Sequence, residues 1–129
     1  MFVDASALVA ILLNEPEREV LLNKIDAAFE RATSPIAVYE TVLALMRDSR
    51  IARPVAERDV RDLIKAANIS MVPITDEMGR AALDAFDRYG KGRHRAGLNM
   101  GDCFAYGAAR VLGVPLLYKG ADFAATDAG

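Results

Sequence analysis

Short apolar runs alternate with longer amphipathic stretches along this chain, and the alternation begins at its first residue. The run Met1–Val3 is short enough for a strand, and the apolar stretch Ala5–Leu13 that follows predicts a buried helix. A second helix is predicted to start at Pro16, a residue suited to a first helical position, and to reach about Arg31. Its inward-facing residues are expected to be Val20, Leu21, Ile25 and Phe29.

The same alternation continues through the rest of the chain. Further short strands are predicted at Arg31–Thr33, Ile69–Ile74 and Val114–Tyr118. Further helices are predicted from Ser34 and Pro35 to about Arg50, and over Pro54–Asn68, Asp76–Tyr89 and Asp102–Leu112. Short apolar strands that alternate with helices favour a parallel sheet covered by helices on both faces. The sequence therefore predicts an α/β fold, built as a single domain over residues 1–129.

Composition agrees with one globular domain and excludes several kinds of site. The chain has 129 residues, of which 53% are hydrophobic and 26% charged. Its longest nearly apolar run, Ala5–Leu13, is far shorter than the ~20 residues that span a bilayer. No basic segment precedes this run, so we expect a cytoplasmic protein without a secretory signal. A single cysteine and a single histidine exclude an intrachain disulfide and a zinc site of soft ligands.

Four carboxylates stand among apolar or small neighbours. They are Asp4 at the end of the first strand, Glu40 within the third helix, Asp102 at the start of the last helix and Asp122 after the last strand. Only Asp122 has a cation close to it in sequence, Lys119. An ionised group on an apolar face is costly unless it meets a partner. These four residues therefore require an explanation that the other acids do not.

Helix capping is an alternative explanation for two of the four. Asp4 could cap the helix that starts at Ala5, and Asp102 could cap its own helix, a role worth ~1 kcal/mol for each. Glu40 lies in the second turn of its helix, beyond a capping position, and its neighbours at three and four residues are apolar. Capping therefore leaves Glu40 unexplained.

The predicted topology offers the four carboxylates a common location. Residues that follow parallel strands or open the next helices converge in the crevice at the carboxyl ends of the strands. Carboxylates gathered there would repel one another unless a cation offset them, and an all-oxygen ligand set fits Mg²⁺ or Mn²⁺. Such an ion suits phosphoryl transfer with an activated water. The sequence thus predicts catalytic and metal-binding roles for Asp4, Glu40, Asp102 and Asp122.

Several residues near these acids are candidates for supporting roles. Ser6 is expected to hydrogen-bond a ligand carboxylate or a metal-bound water, or else to help cap its helix, and Asn99 is expected to orient a ligand from outside the metal's own shell. Tyr106 is interpreted as a packing residue with its hydroxyl near the crevice, and Cys103 as a small core residue. Asp127 is either a fifth acid of the group or a solvated loop residue.

A basic segment interrupts a chain whose net charge is −2. Residues 88–95 read RYGKGRHR, which predicts a local grip on a nucleic-acid backbone, with Tyr89 or His94 available to stack on a base. A solvated loop is the alternative interpretation. The candidate nucleic-acid contacts are Lys91, Arg93, His94, Arg95 and, at the end of the last strand, Lys119.

Four segments together resemble the PIN-domain ribonucleases, and in particular the VapC toxins of bacterial type II toxin–antitoxin systems. They are FVDASALVAILLNEPE, YETVLALM, YGKGRHRAGLNMGDCFAYGAAR and PLLYKGADFAATD, and they span nearly the whole chain in order. The resemblance implies a compact three-layer α/β/α sandwich with a short parallel sheet. It also implies a Mg²⁺- or Mn²⁺-dependent endoribonuclease for structured RNA (tRNA or rRNA), whose acids match Asp4, Glu40, Asp102 and Asp122.

The resemblance has implications for partners and for the end of the sheet. It implies a homodimer that is inhibited by a VapB-like antitoxin covering the active site. Relatives usually continue into a last edge strand, whereas this sequence stops two residues after Asp127. The edge of the sheet is therefore the part of the fold that the resemblance describes least.

Three other functions fit parts of the pattern. A phosphatase of the haloacid dehalogenase type needs a second Asp two residues after the first, where this chain has Ser6, and a cap domain for which there is no room. A structure-specific DNA nuclease shares the acidic cluster but normally needs a longer chain to clamp DNA. The non-enzymatic alternative is a catalytically silent module that captures a basic peptide or nucleic acid in an acidic crevice.

Overall fold

The computed structural model describes residues 1–129 and is built around a four-stranded parallel sheet. The strands are β1 (Phe2–Val3), β2 (Ala32–Thr33), β3 (Ser70–Met71) and β4 (Leu116–Leu117). They lie in the order β3-β2-β1-β4, and every neighbouring pair is parallel. The first strand of the chain is therefore central, with Phe2 in register with Ala32 on one side and Leu116 on the other.

Six α-helices connect and cover the strands. They are α1 (Ala5–Leu12), α2 (Arg18–Ala27), α3 (Pro35–Ser49), α4 (Arg53–Ala66), α5 (Asp76–Tyr89) and α6 (Met100–Leu112), and a 3₁₀ turn at Phe123–Ala125 follows β4. None of these helices combines the length and apolar character needed to cross a membrane.

The two residues of β1 show how the layers are arranged. Successive side chains of a strand point to opposite faces of the sheet. Phe2 is fully buried in an apolar cluster with residues of α5 and α6, while Val3 is fully buried in a second cluster with residues of α1 to α4. The predicted α/β/α sandwich is thus confirmed, with four helices on one face and two on the other.

Local sequence signals account for the helix boundaries. The Ser34 hydroxyl accepts a hydrogen bond from the Ala37 N–H (3.3 Å) and Pro35 fills the first helical position of α3. Thr75 caps α5 in the same way. The last helix ends at Leu112 and is capped by Gly113, whose φ of 67° is the left-handed conformation in which glycine is favoured.

The prediction of which α2 residues face inward is wrong for two of the four. Leu21 and Ile25 are buried as predicted, but Val20 is 57% exposed and Phe29 is fully exposed. The helix is shorter than its apolar pattern suggested, because it ends at Ala27 and leaves Phe29 in the following loop. Val20 lies about 100° around the helix from Leu21, which already occupies the inward stripe.

The strands are also shorter than predicted. Each contains two residues, so the apolar segment Ile69–Ile74 contributes only Ser70–Met71 to the sheet as β3. Segments on both sides of these short strands still pack apolar side chains into the core, as Ile69 does. An apolar run marks burial more directly than it marks strand pairing.

Candidate active site

Asp4 is the residue at which β1 ends and α1 begins. Its side chain accepts a hydrogen bond from the Ser6 backbone N–H (3.0 Å), and the Ser6 hydroxyl donates to the same Oδ2 atom (2.6 Å). Only 3% of Asp4 is exposed. Capping is therefore real, but it does not account for a carboxylate buried this deeply at the carboxyl end of the central strand.

Asp102 lies in the first turn of α6, which begins at Met100, two residues before its predicted start. The Asn99 side chain accepts a hydrogen bond from the Asp102 N–H (2.9 Å), and the Asp102 carboxylate accepts one from the Asn99 N–H (3.1 Å). This reciprocal pair is a capping box. It fixes the orientation of Asp102 at a helix N-terminus, where the helix dipole favours a negative charge.

Glu40 projects from the second turn of α3 toward the start of α6. Its carboxylate fills the space that a Cβ on Gly101 would occupy. Gly101 directly precedes Asp102, so this contact brings Glu40 beside the helix turn that carries Asp102. A half-buried carboxylate packed on a helix N-terminus is consistent with a site residue and not with a solvated surface acid.

Asp122 follows β4 and precedes the 3₁₀ turn, and it is exposed. Its neighbour in sequence, Lys119, does not pair with it. The Lys119 Nζ lies 3.0 Å from Glu15 Oε1 and 3.7 Å from Glu17 Oε2, both in the turn between α1 and α2. Lys119 is therefore an ion-pair partner of that turn and not the counter-charge of Asp122.

The charges of these carboxylates act on one another. Burial, followed by the charges of Asp4 and Asp102, raises the pKa of Glu40 to about 7. Burial, with the charges of Asp4 and Asp122 adding to it, raises the pKa of Asp102 to about 6. The pKa of Asp4 is also raised, first by burial and further by the charge of Asp122, against the hydrogen bonds from Ser6. The fold thus brings the four predicted acids to one end of the sheet.

The donor set suits a hard divalent cation. None of the four carboxylates forms an ion pair with a lysine or arginine. No three acidic, histidine or cysteine side chains lie close enough together to form a ready-made coordination shell. Mg²⁺ does not require one, because it commonly takes one or two carboxylates and keeps several waters. The oxygen-only set therefore fits Mg²⁺ or Mn²⁺.

Asp127 and Tyr106 belong to a separate cluster. The Tyr106 hydroxyl donates to Asp127 Oδ1 (2.5 Å), and Arg110 donates to the Tyr106 oxygen (2.7 Å) and to Asp127 Oδ2 (3.2 Å). Arg88 lies 3.4 Å from the same Oδ2 atom. The Tyr106 hydrogen bond, with the two arginines, lowers the pKa of Asp127.

This cluster corrects two expectations. Asp127 is neither a fifth acid of the site nor a freely solvated residue, because two guanidinium groups and a phenol satisfy its carboxylate. The Tyr106 hydroxyl turns toward Asp127 and not toward the four acids, although its ring is buried in the core as predicted. Cys103 is a buried core residue, as expected.

The basic loop, residues 90–97, closes on itself just before Asn99. The Lys91 N–H donates to the Leu98 carbonyl and the Leu98 N–H donates to the Tyr89 carbonyl, both at 3.0 Å. This pairing anchors the base of the loop next to the helix turn that carries Asp102.

The side chains of the basic loop are not equally available. Lys91 and Arg95 are exposed and form no ion pair, whereas Arg93 lies 3.7 Å from Asp87 and stacks on Phe86. His94 packs edge-on against Tyr89, with 5.1 Å between ring centroids, and its Nδ1 accepts the Ala96 N–H. His94 and Tyr89 therefore already contact each other.

Two contributions were missed by sequence reasoning. Gly101 makes room for the Glu40 carboxylate, and the available signal was a glycine in the first turn of a helix, which usually has a packing reason. Glu15 pairs with a lysine more than 100 residues away in sequence, and no local pattern indicates such a contact.

Comparison with known proteins shows the family to which the chain belongs. The chain matches the PIN domain family over residues 1–129. It is 42% identical over 127 residues to Ribonuclease VapC of Mycolicibacterium smegmatis, covering 98% of this chain and 96% of that protein. It is 44% identical over 141 residues to a VapC ribonuclease of Rhizobium meliloti, covering 99% of both.

Two solved structures share the fold. VapC20 of Mycobacterium tuberculosis, described as a toxin that cleaves the sarcin-ricin loop, aligns with a TM-score of 0.73 at 16% identity, covering 96% of this chain and 92% of that one. A toxin–antitoxin complex from Klebsiella pneumoniae aligns with a TM-score of 0.69 at 15% identity, covering 98% and 92%. With the family match over all 129 residues and relatives above 40% identity, this chain belongs to the PIN-domain family and, within it, to the VapC ribonucleases.

Proposed function

We propose that this protein is a Mg²⁺- or Mn²⁺-dependent endoribonuclease that acts as the toxin of a type II toxin–antitoxin pair. One observation carries the proposal. Three carboxylates from three separate elements, Asp4 at the N-cap of α1, Glu40 in α3 and Asp102 in α6, are buried or half-buried and have no basic partner. Burial raises the pKa of each, and the charge of Asp4 adds to this effect at Glu40 and Asp102. Such an arrangement is costly unless a cation binds it.

Each residue of the site has a proposed role. Asp4, Glu40 and Asp102 would supply the one or two carboxylates that hold the ion, and Asp122 would add its charge from the loop after β4. Ser6 keeps the Asp4 carboxylate oriented through its hydroxyl. When bound, Mg²⁺ or Mn²⁺ supplies an activated water and neutralises charge at the scissile phosphate.

The proposed substrate is structured RNA, met in the cytoplasm. Relatives above 40% identity are named ribonucleases. In addition, the exposed cations Lys91 and Arg95 lie on the loop that leads directly into α6, so a backbone held there would pass close to Asp102.

The proposed partners are an antitoxin and a second copy of this chain. Exposed apolar side chains flank the acids in sequence: Tyr39 is 65% exposed, Leu43 is 45% exposed and Met100 is 67% exposed. Large apolar residues left in water beside a charged crevice favour a protein that covers both. The solved toxin–antitoxin complex from Klebsiella pneumoniae has the same fold.

Incubation of the purified chain with end-labelled structured RNAs tests the activity. Cleavage should appear with Mg²⁺ or Mn²⁺ and disappear in EDTA. Asp4→Asn and Asp102→Asn should each lose at least about 100-fold in rate, because even partners outside the ligand shell are commonly worth 10–100-fold. Asparagine still caps a helix, so both variants should remain folded.

Asp62→Asn is the matched control, since Asp62 is an exposed acid of α4 outside the site. It should cleave as the wild type does. Cleavage that survives in EDTA, or that is equal in all three variants, would contradict the proposal. Capture of a basic peptide without cleavage under any metal would support the silent binding module instead.

A further inference from the structure

The loop that carries Asp122 is fastened at Lys119 by two separate contacts. The Lys119 backbone N–H donates to the Ser6 hydroxyl oxygen (3.0 Å), and the Lys119 ammonium donates to Glu15 Oε1 (3.0 Å). Glu17 Oε2 lies 3.7 Å from the same ammonium. The residue therefore joins the end of β4 to the start of α1 and to the turn that follows α1.

The backbone contact leads directly to the proposed site. The Ser6 hydroxyl accepts from Lys119 and donates to Asp4 Oδ2 (2.6 Å), so one hydroxyl couples the β4 loop to the buried carboxylate. Accepting the amide hydrogen orients the hydroxyl, leaving its own hydrogen for Asp4. The position of the Lys119 backbone thus affects the geometry of Asp4.

The side-chain contact restrains the segment on the strand side of Asp122, whereas the buried Phe123 holds it on the other side. Lys119 and Glu15 are each only 31% exposed in their side chains. Gly120 follows at a φ of 103°, a conformation in which side-chain-bearing residues are rarely found, and the exposed Asp122 comes two residues later. Because Gly120 leaves the backbone before Asp122 flexible, an anchor at Lys119 helps that acid to keep one position.

We propose that Lys119 is a positioning residue: its ion pair with Glu15 fixes the loop that presents Asp122 to Asp4, instead of contacting RNA. This inference rests on the proposed metal site. The basic loop offers free cations at Lys91 and Arg95, whereas the Lys119 ammonium is already shared by two carboxylates.

Removal of the ammonium should therefore loosen the site without weakening RNA binding. In Lys119→Met, Glu15 and Glu17 lose their cation, and the affinity for Mn²⁺ measured by calorimetry should fall about tenfold, as for other partners outside the ligand shell. The Lys119→Arg variant keeps the charge and the reach, and it should restore the wild-type affinity. Glu15→Gln should weaken Mn²⁺ binding in the same direction while leaving Lys119 intact.

Two further measurements separate positioning from other roles. RNA affinity in EDTA, and its dependence on salt, should be the same for Lys119→Met and the wild type. Hydrogen exchange at the backbone amide of residue 119 should be faster in Lys119→Met, because its hydrogen bond to Ser6 becomes less persistent. Lys65→Met is the matched control, since Lys65 is an exposed lysine of α4 without an ion pair, and it should change none of these values.

Every outcome bears on the inference. A loss of RNA affinity with a smaller salt slope would make Lys119 a nucleic-acid contact and overturn it. A lower melting temperature with unchanged Mn²⁺ affinity in both Lys119→Met and Glu15→Gln would reduce the pair to a stability contact and overturn it as well. A wild-type chain that binds no Mn²⁺ would remove the proposed function, and this inference with it.

Discussion

The carboxylate of Glu40 occupies the position in which residue 101 would carry a Cβ, so the identity of Gly101 and the placement of Glu40 depend on each other. Neither residue is close to the other in sequence. Glu40 comes from α3 on one face of the sheet, and Gly101 lies in the first turn of α6 on the other. Their contact is one of the places where the two helical layers meet at the end of the strands.

Gly101→Ala should therefore damage the site without damaging the fold. The methyl group cannot coexist with the Glu40 carboxylate in its present position, so Mn²⁺ affinity and RNA cleavage should each fall at least about tenfold. Gly79→Ala is the matched control, because Gly79 is the fourth residue of α5 and a Cβ there meets nothing within 4 Å. It should raise stability by about 0.5–1 kcal/mol and leave cleavage unchanged. Equal activity in the two variants would show that the Glu40 position is unimportant.

The stability of the metal-free protein should fall as pH rises through the acidic range. The pKa of Glu40 is raised from 4.5 to about 7, so between these values the folded chain retains a proton that the unfolded chain releases. Glu40→Gln carries no such charge. In EDTA, the melting temperature of this variant should exceed that of the wild type by a difference that grows between pH 4.5 and 7 and persists above pH 7. Added Mn²⁺ should stabilise the wild type and reduce this difference in melting temperature, because a ligand that binds the folded state opposes unfolding. A gap that does not change with pH would contradict the burial of an ionisable Glu40.

Asp127 should matter for stability and not for metal binding. Tyr106→Phe removes the hydroxyl that bonds the carboxylate of Asp127 and the guanidinium of Arg110, at a cost of about 1–3 kcal/mol measured by chemical denaturation. Asp127→Asn should also destabilise the chain, while its Mn²⁺ affinity remains that of the wild type. A weaker Mn²⁺ affinity in Asp127→Asn would show instead that Asp127 belongs to the metal site.

The cations of the basic loop should contribute unequally to RNA binding. Lys91→Ala combined with Arg95→Ala should weaken binding in EDTA and reduce the slope of log affinity against log salt by about 1–2 units. Arg93→Ala should have a smaller effect, because Arg93 already pairs with Asp87 and stacks on Phe86. An unchanged salt slope in the double variant would identify the segment as a solvated loop.

Much of the architecture was predictable because local chemistry sets where elements begin. Ser34 with Pro35, and Thr75 with the acids after it, place the starts of α3 and α5 as the sequence indicated. The α/β/α class followed from the alternation of short apolar runs with helices. The ends of elements were less predictable, as Phe29 shows, because an apolar side chain does not reveal whether it is inside a helix or just beyond it.

The four acids were predictable for a different reason. Asp4, Glu40 and Asp102 lack cations at helical spacing, and that absence is visible in the sequence alone, whereas Asp122 has only Lys119 nearby. By contrast, Asp127 also looked available, yet the fold surrounds it with Arg88 and Arg110. An aspartate in the sequence is therefore a carboxylate without a basic partner at one position and an ion-paired carboxylate at another.

The sequence by itself determined which segments contain strands and helices, that helices cover both faces of a parallel sheet, and which carboxylates have no local partner. Only the tertiary structure decided which distant charges meet, such as Lys119 with Glu15, and which space is left for Glu40 above Gly101. The physical reason is the range of the forces involved. Capping and periodicity act within a few residues of a chain, whereas ion pairs and steric exclusion depend on distances in space that arise only when the layers pack.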